Sequence, residues 1–178
     1  KTTYQVLRVL DGDTFETVEH KKIRLSGVDT PELDLCGGQA AKLALEKLIL
    51  GKRLFIKVLF NDKFKRLVSQ VYVGNKSISQ AVLTSGNAYF VNTGDSDTEN
   101  LRQSSEFARY KKLGIYSDKC TQLANPDNPK CQIKANILLR DGTKYYRFPG
   151  CGQYNNTIVQ LYMGDQWFCT EKEALEAG

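Results

Sequence analysis

Ile23-Arg24-Leu25-Ser26-Gly27-Val28-Asp29-Thr30-Pro31-Glu32 passes from a strand pattern to a charged turn within a few residues. Its first three residues alternate apolar, charged, apolar, as a half-buried strand does, so Arg24 points to the face opposite Ile23 and Leu25. Pro31 ends any ladder, because it has no amide proton and its ring pushes Thr30 into an extended conformation. Asp29, Thr30 and Glu32 therefore leave the strand end on a stiff turn, and one guanidinium stands beside two carboxylates. A solvated turn on an edge strand has the same local pattern, and the chain on either side decides between the two.

Upstream, Tyr4 to Leu10 alternates β-favouring residues, Asp11-Gly12-Asp13-Thr14 bends the chain, and Phe15 to Val18 resumes the alternation. Glu19-His20-Lys21-Lys22 then turns into the Ile23 strand. This predicts a three-stranded meander that brings Asp13 alongside the end of the third strand. Downstream, Ala40, Ala41, Ala44, Leu45, Leu48 and Ile49 recur at helical spacing, with Gly51 as the stop and Lys47 and Lys52 near the negative end. Leu54 to Phe60 and Leu67 to Val73 read as a fourth and a fifth strand, joined by the basic connection Asn61-Asp62-Lys63-Phe64-Lys65-Arg66. Ser77 N-caps a short helix that carries Ile78, Ala81 and Val82 and ends at Gly86. The polar loop from Asn92 to Asn100 contains Asp95-Ser96-Asp97 but lacks the glycine and the terminal glutamate of a calcium loop. It reads as a solvated loop capping a helix from about Glu99 to Leu113, with Gly114 as its stop. Five strands with a helix between the third and fourth, and helices at the end, describe a mainly β fold with α: a five-stranded oligonucleotide-binding-type (OB-type) barrel with three helices.

Composition narrows the function classes. Hydrophobic content of 41% and charged content of 25% are ordinary for a globular protein, and no apolar run approaches the ~20 residues of a membrane span. A net charge of +5 favours a polyanionic partner. A single histidine, His20, lies in the Glu19 to Lys22 turn as an exposed hairpin residue, which excludes metal sites built on histidine pairs and makes a Ser-His-Asp triad unreasonable. The chain opens at Lys1 and its one methionine is Met163, so the sequence reads as a mature or trimmed form. Together with five cysteines and no Cys-x-x-Cys pair, this predicts disulfides in an exported protein, secreted, on the cell surface or periplasmic.

The breaker-rich run Asn125-Pro126-Asp127-Asn128-Pro129 divides the chain into a barrel domain at 1–120, a linker at 121–130 and a small α+β module at 131–178. The module shows a strand from Ile133 to Leu139, a turn at Arg140-Asp141-Gly142 and a strand from Lys144 to Phe148. Beyond these come Trp167-Phe168-Cys169 and a last helix with a Thr170/Glu173 capping box. So short a segment buries little, which gives a disulfide a physical reason. Cys131 with Cys169 would join the module's ends, Cys36 with Cys120 would staple the main domain, and Cys151 would remain free.

The candidate site is the set Asp13, Arg24, Asp29, Thr30, Glu32 and Arg66. Two carboxylates, a backbone carbonyl and water make a hard oxygen site suited to calcium, with no soft ligand for other metals. Two arginines can grip a phosphate through fork-like pairs while charge develops on its oxygens. Glu32 is left to take a proton from, or to orient, an attacking water.

On the same residues, Val9-Leu10-Asp11-Gly12-Asp13-Thr14, Arg24 with Val28-Asp29-Thr30-Pro31-Glu32, Asp62-Lys63-Phe64-Lys65-Arg66 and Leu113-Gly114-Ile115-Tyr116-Ser117 resemble, in order, the motifs of the staphylococcal nuclease (thermonuclease) family. The similarity runs from about Thr3 to Asp118. It implies calcium-dependent hydrolysis of DNA and RNA, breaking the 5′ oxygen to phosphorus bond to leave 3′-phosphates. It further implies Asp13, Asp29 and the Thr30 carbonyl as calcium ligands, Arg24 and Arg66 on the scissile phosphate, and Glu32 as general base or water-positioning group. Lys63 matches a contact to a terminal phosphate. Phe64 stands where the family has Tyr, keeping an aromatic surface but losing a hydroxyl, and the family's later nucleotide-stacking Tyr has no secure match near Tyr89, Phe90 and Asn92. The segment from Cys131 to Gly178 resembles a short Cys-containing module found after some bacterial nuclease domains and is loosely similar to the metal-binding module of the Ada repair protein. A metal-dependent endonuclease, monomeric and without an obligate protein partner, is thus the expected function. A nucleic-acid-binding barrel without catalysis and a barrel that carries a tail for wall or partner attachment are the alternatives.

Overall fold

A computed structural model of the chain describes residues 3–94, 96–138 and 140–178. The chain divides into two units, Lys1–Tyr116 and Ser117–Gly178. Within the first, the opening strand is split at Gln5 into Thr3–Tyr4 (β1) and Val6–Val9 (β2). Next come β3 (Thr14–Thr17), β4 (Lys22–Leu25) and β5 (Val28–Asp29), then helix α1 (Gly38–Ile49). They are followed by β6 (Leu54–Asn61), β7 (Leu67–Val73), β8 (Lys76–Ser77), α2 (Ile78–Thr84), β9 (Tyr89–Phe90) and α3 (Thr98–Tyr110).

Among the described residues, one sheet runs β1–β6–β7–β4–β3–β2, with β8 added to β7. Its two ends, β1 and β2, are successive pieces of one strand, so the sheet curls back on itself as a nearly closed barrel. With that strand counted once and the two-residue β8 set aside, this is the expected five-stranded OB-type barrel. β3 pairs antiparallel with β4, Thr14 opposite Arg24, and β4 runs parallel to β7, Arg24 opposite Val68.

Burial follows the alternation. Ile23 and Leu25 are buried and Arg24 is half-buried on the other face. Phe15, Leu54 and Val71 join them from neighbouring strands, and the helices add Leu45, Ile49, Ile78, Val82 and Leu83. In α1 the buried Ala41, Leu45 and Ile49 are four apart, one face of a helix. Ser77 caps α2 as expected, its Oγ accepting from Gln80 N at 3.3 Å.

Two expectations need adjustment. α3 stops at Tyr110 rather than Leu113, because Lys112 (φ 51°) and Gly114 (φ 53°) both adopt the left-handed conformation. The polar loop before α3 does not cap it through a side chain: Asp97 occupies the N-cap position, but its Oδ2 accepts from Tyr72 OH at 3.0 Å. Asp95 of the same loop lies outside the described residues.

The second unit holds β10 (Thr121–Gln122), β11 (Ile133–Ile137), β12 (Lys144–Arg147), β13 (Val159–Gln160), β14 (Gln166–Phe168) and α4 (Glu171–Glu176). Its sheet order is β12–β11–β14, with β10 and β13 as a separate pair. Thr121 and Gln122, assigned to a linker on sequence, pair with Gln160 and Val159. Leu139, placed in the strand that becomes β11, lies outside the described residues. Thr170 and Glu173 form the capping box. Polar bonds supplement the small core. Asp165 accepts from Ile137 N, Gln160 N and Asn136 Nδ2, and the buried Lys134 ammonium donates to the carbonyls of Tyr154 and Thr157. Cys131 and Cys169 form a disulfide, and Cys151 is an exposed free thiol. No helix among the described residues is long and apolar enough to cross a membrane.

Candidate active site

Asp11 builds the first part of the site. Its carboxylate accepts from the backbone amides of Asp13 and Thr14 at 3.0 and 2.7 Å, folding the Asp11-Gly12-Asp13 turn so that Asp13 points inward. Gly12 is required there: a Cβ would lie 2.6 Å from Ala41 Cβ and 2.8 Å from Thr30 Oγ1. Asp13 is 2% exposed. Its Oδ1 accepts from Thr14 Oγ1 at 2.8 Å and from Arg24 Nη1, and its Oδ2 accepts from Thr30 Oγ1 at 3.2 Å.

Arg24 joins the two carboxylates. While Nη1 serves Asp13, Nη2 donates to Asp29 Oδ1 at 2.8 Å. The turn at Pro31 has thus put Asp29 and Thr30 against a residue from the first meander, as the sequence predicts. Arg66 enters from the β6–β7 hairpin. Asp62 holds that loop by accepting from the amides of Phe64 and Arg66, both at 2.9 Å, and it fixes the Arg66 side chain through Nε at 2.8 Å. Arg66 Nη1 reaches Thr14 Oγ1 at 3.5 Å, so both arginines bear on the same Asp13–Thr14 pair.

Lys63 Nζ and Arg66 Cζ lie 5.0 and 5.3 Å from the centroid of the Phe64 ring, which is 65% exposed and flanked by cations. Glu32 is exposed, and within the described residues no hydrogen bond or ion pair engages its carboxylate. Its backbone carbonyl accepts from Leu35 N at 2.9 Å, so the turn that carries it is fixed while the acid is not.

Electrostatics show an excess of negative charge. Burial pushes the Asp13 carboxyl up to about 7, against the pull of Arg24, and the neighbouring Asp11 and Asp29 add to the rise. Arg24 is pushed above its ordinary value: burial opposes its charge, but Asp13 and Asp29 more than offset that. One guanidinium does not compensate these carboxylates. The donor set is all oxygen, which fits a hard cation, although among the described residues no three His, Cys, Asp or Glu side chains converge as a protein-only metal cage.

The sequence reading missed two participants. Thr14 links Arg66 to Asp13 through one hydroxyl. Tyr89 donates its phenol to Asp29 Oδ2 at 2.7 Å, and burial, ahead of the Asp29 contact, pushes that phenol far above its ordinary range. The partners are 60 residues apart, and β5 and β9 are too short to show a periodicity that would have joined them.

The family model for staphylococcal nuclease homologues matches residues 22–118, more than half of the chain. The chain belongs to the staphylococcal nuclease family. The match takes in Arg24, Asp29, Thr30, Glu32, Lys63, Phe64, Arg66 and Tyr89, whereas Asp13 precedes it and most of the second unit follows it. An uncharacterized endonuclease of Haemophilus influenzae is 28% identical over 153 residues, 84% of this chain and 82% of that protein. An uncharacterized endonuclease of Escherichia coli is 30% identical over 118 residues, 64% of this chain and 76% of that one. A staphylococcal-like nuclease of Arabidopsis thaliana is 32% identical over 108 residues, 61% of this chain but 32% of the plant protein. The chain spans between about a sixth and about a third of the length of the plant relatives it matches. In this staphylococcal nuclease-family barrel, then, the two arginines and the acidic oxygens named from sequence stand in one cluster, with Glu32 on the adjoining turn.

Proposed function

We propose that the protein is a calcium-dependent endonuclease that hydrolyses DNA and RNA to 3′-phosphate products. The observation that carries this reading is the convergence of Arg24 and Arg66 on Asp13 and Thr14, with Asp29 sharing Arg24. Family membership and relatives named as nucleases support it.

Asp13, Asp29 and the Thr30 carbonyl would hold the ion, with water completing its shell. Bound there, calcium supplies positive charge that polarises a phosphoryl oxygen and offsets the charge growing on it. Arg24 and Arg66 bind the phosphodiester through paired N–H donors and hold it most tightly when its oxygens carry the extra charge of attack. Glu32, uncommitted and exposed on the adjoining turn, takes a proton from the attacking water or orients it. The water oxygen bonds to phosphorus, the bond to the 5′ oxygen breaks, and that oxygen takes a proton from solvent and leaves as a 5′-hydroxyl. Lys63 and the exposed face of Phe64 receive the adjoining phosphate and base.

Digestion of DNA and RNA with calcium and with chelator tests the reading. Cleavage is expected with calcium and loss of cleavage in chelator. Full cleavage in chelator would reject the ion's role, and binding without cleavage under every divalent ion would favour a binding barrel. We also propose that the protein works outside the cytoplasm, since the Cys131–Cys169 disulfide needs an oxidising compartment. A fully reduced pair in protein taken from its native source would count against export.

A further inference from the structure

We propose that Tyr89 is a positioning residue whose hydroxyl holds one oxygen of the Asp29 carboxylate so that the other faces Asp13 across the ion site. The inference rests on Asp29 being an ion ligand, as argued above. The two oxygens of Asp29 have different partners. Oδ2 accepts from Tyr89 OH at 2.7 Å. Oδ1 accepts from Arg24 Nη2 at 2.8 Å and from Thr30 N at 3.2 Å, and Arg24 is the same residue that binds Asp13 Oδ1. Oδ1 is therefore the oxygen that looks toward Asp13.

The need for an anchor follows from exposure. The Asp29 side chain is 37% exposed, against 3% for Asp13, so packing alone leaves its carboxylate free to rotate toward water. The Tyr89 ring has no such freedom. β5 and β9 pair antiparallel with Asp29 directly opposite Tyr89, and Val91 N extends the pairing by donating to Gly27 O at 3.1 Å. Directly paired residues put their side chains on one face of a ribbon at close range. The phenol is thus delivered to the carboxylate by backbone register, as an outer partner commonly orients the ligand of a metal.

A hydrogen bond that only fastened β5 to β9 would have the same geometry, and a four-protein comparison separates the two roles. Wild type, Tyr89→Phe, Asp29→Asn and the double variant, all as full chains, are titrated calorimetrically with Tb³⁺, a hard cation that takes oxygen donors. Thermal melting of each is recorded in chelator. Tyr89→Phe removes one oxygen, and a roughly tenfold loss of affinity is expected. That loss should vanish in the Asp29→Asn background, where there is no carboxylate left to orient. Unchanged affinity in Tyr89→Phe with a lowered melting temperature, or the same loss in both backgrounds, would overturn the proposal. The Asp29→Asn loss on its own would leave the ligand reading standing. Equal affinity of wild type and Asp29→Asn would remove both. If Tyr89→Phe does not fold, Tyr89→Trp replaces it. An indole N–H can still serve Asp29, so affinity near wild type supports the role, and a full tenfold loss in a folded Trp variant counts against it.

Discussion

Arg24 pairs with Asp13 and Asp29 at once, and Glu32, one turn away, pairs with nothing among the described residues. That contrast separates a group held for binding from one free to react. Glu32→Gln keeps the size of the side chain and removes its basicity, so turnover should fall on the order of 10²-fold or more with little change in melting temperature. Steady-state cleavage of a DNA oligonucleotide checks this, and a loss smaller than about fivefold would remove Glu32 from the proton transfer. Asp13 allows a second test. Burial lifts its carboxyl from an ordinary 3.8 to about 7, so between those values the folded chain retains a proton that the unfolded chain has released. In chelator, this group favours the fold on the acid side and the contribution is lost as pH rises through about 7. Asp13→Asn removes the titration. In urea unfolding, the wild type should therefore lose stability relative to the variant as pH rises from about 4 to about 7, with no further change above that. A difference that does not change with pH would contradict that assignment.

The exits of α2 and α3 depend on two glycines that meet. Gly86 (φ 74°) and Gly114 (φ 53°) approach so closely that a Cβ on Gly114 would lie 2.1 Å from Gly86 O, while Ile115 N donates to that same carbonyl at 2.8 Å. Gly114→Ala adds both a clash with backbone and a left-handed residue with a side chain, at a cost of about 3 kcal/mol. A denaturant titration should show it, and a shift below about 1 kcal/mol would mean the two exits can separate. Elements of this kind were largely legible. Gly51 and Gly86 marked helix ends, the helical spacing of apolar residues marked α1, and Ser77 and Thr170 marked two caps, whereas the stop read at Gly114 came late, since α3 ends at Tyr110. The split at Gln5 and the two-residue strands β5, β8 and β9 were not, since two residues contain no period and are defined only by what they pair with.

Each unit of the whole molecule is held in its own way. The first packs helices over a barrel around one apolar cluster, while the second leans on Asp165, Lys134 and the Cys131–Cys169 bridge. With its ends separated by 38 positions in sequence, that bridge removes chain entropy worth about 4 kcal/mol from the unfolded second unit. Replacing both cysteines with serine should open residues 117–178 to limited proteolysis while 1–116 stays resistant. Equal resistance of the two units would show that the polar bonds suffice. By itself, the sequence determined what depends on neighbours along the chain: strand alternation, helix stops, the Pro31 turn, the Asp62 hairpin and the kinds of group available for chemistry. Only the tertiary structure decided that Thr14 would link Arg66 to Asp13 and that Tyr89 would meet Asp29. Those contacts join residues dozens of positions apart, and their geometry comes from sheet closure and strand register, which no local pattern encodes.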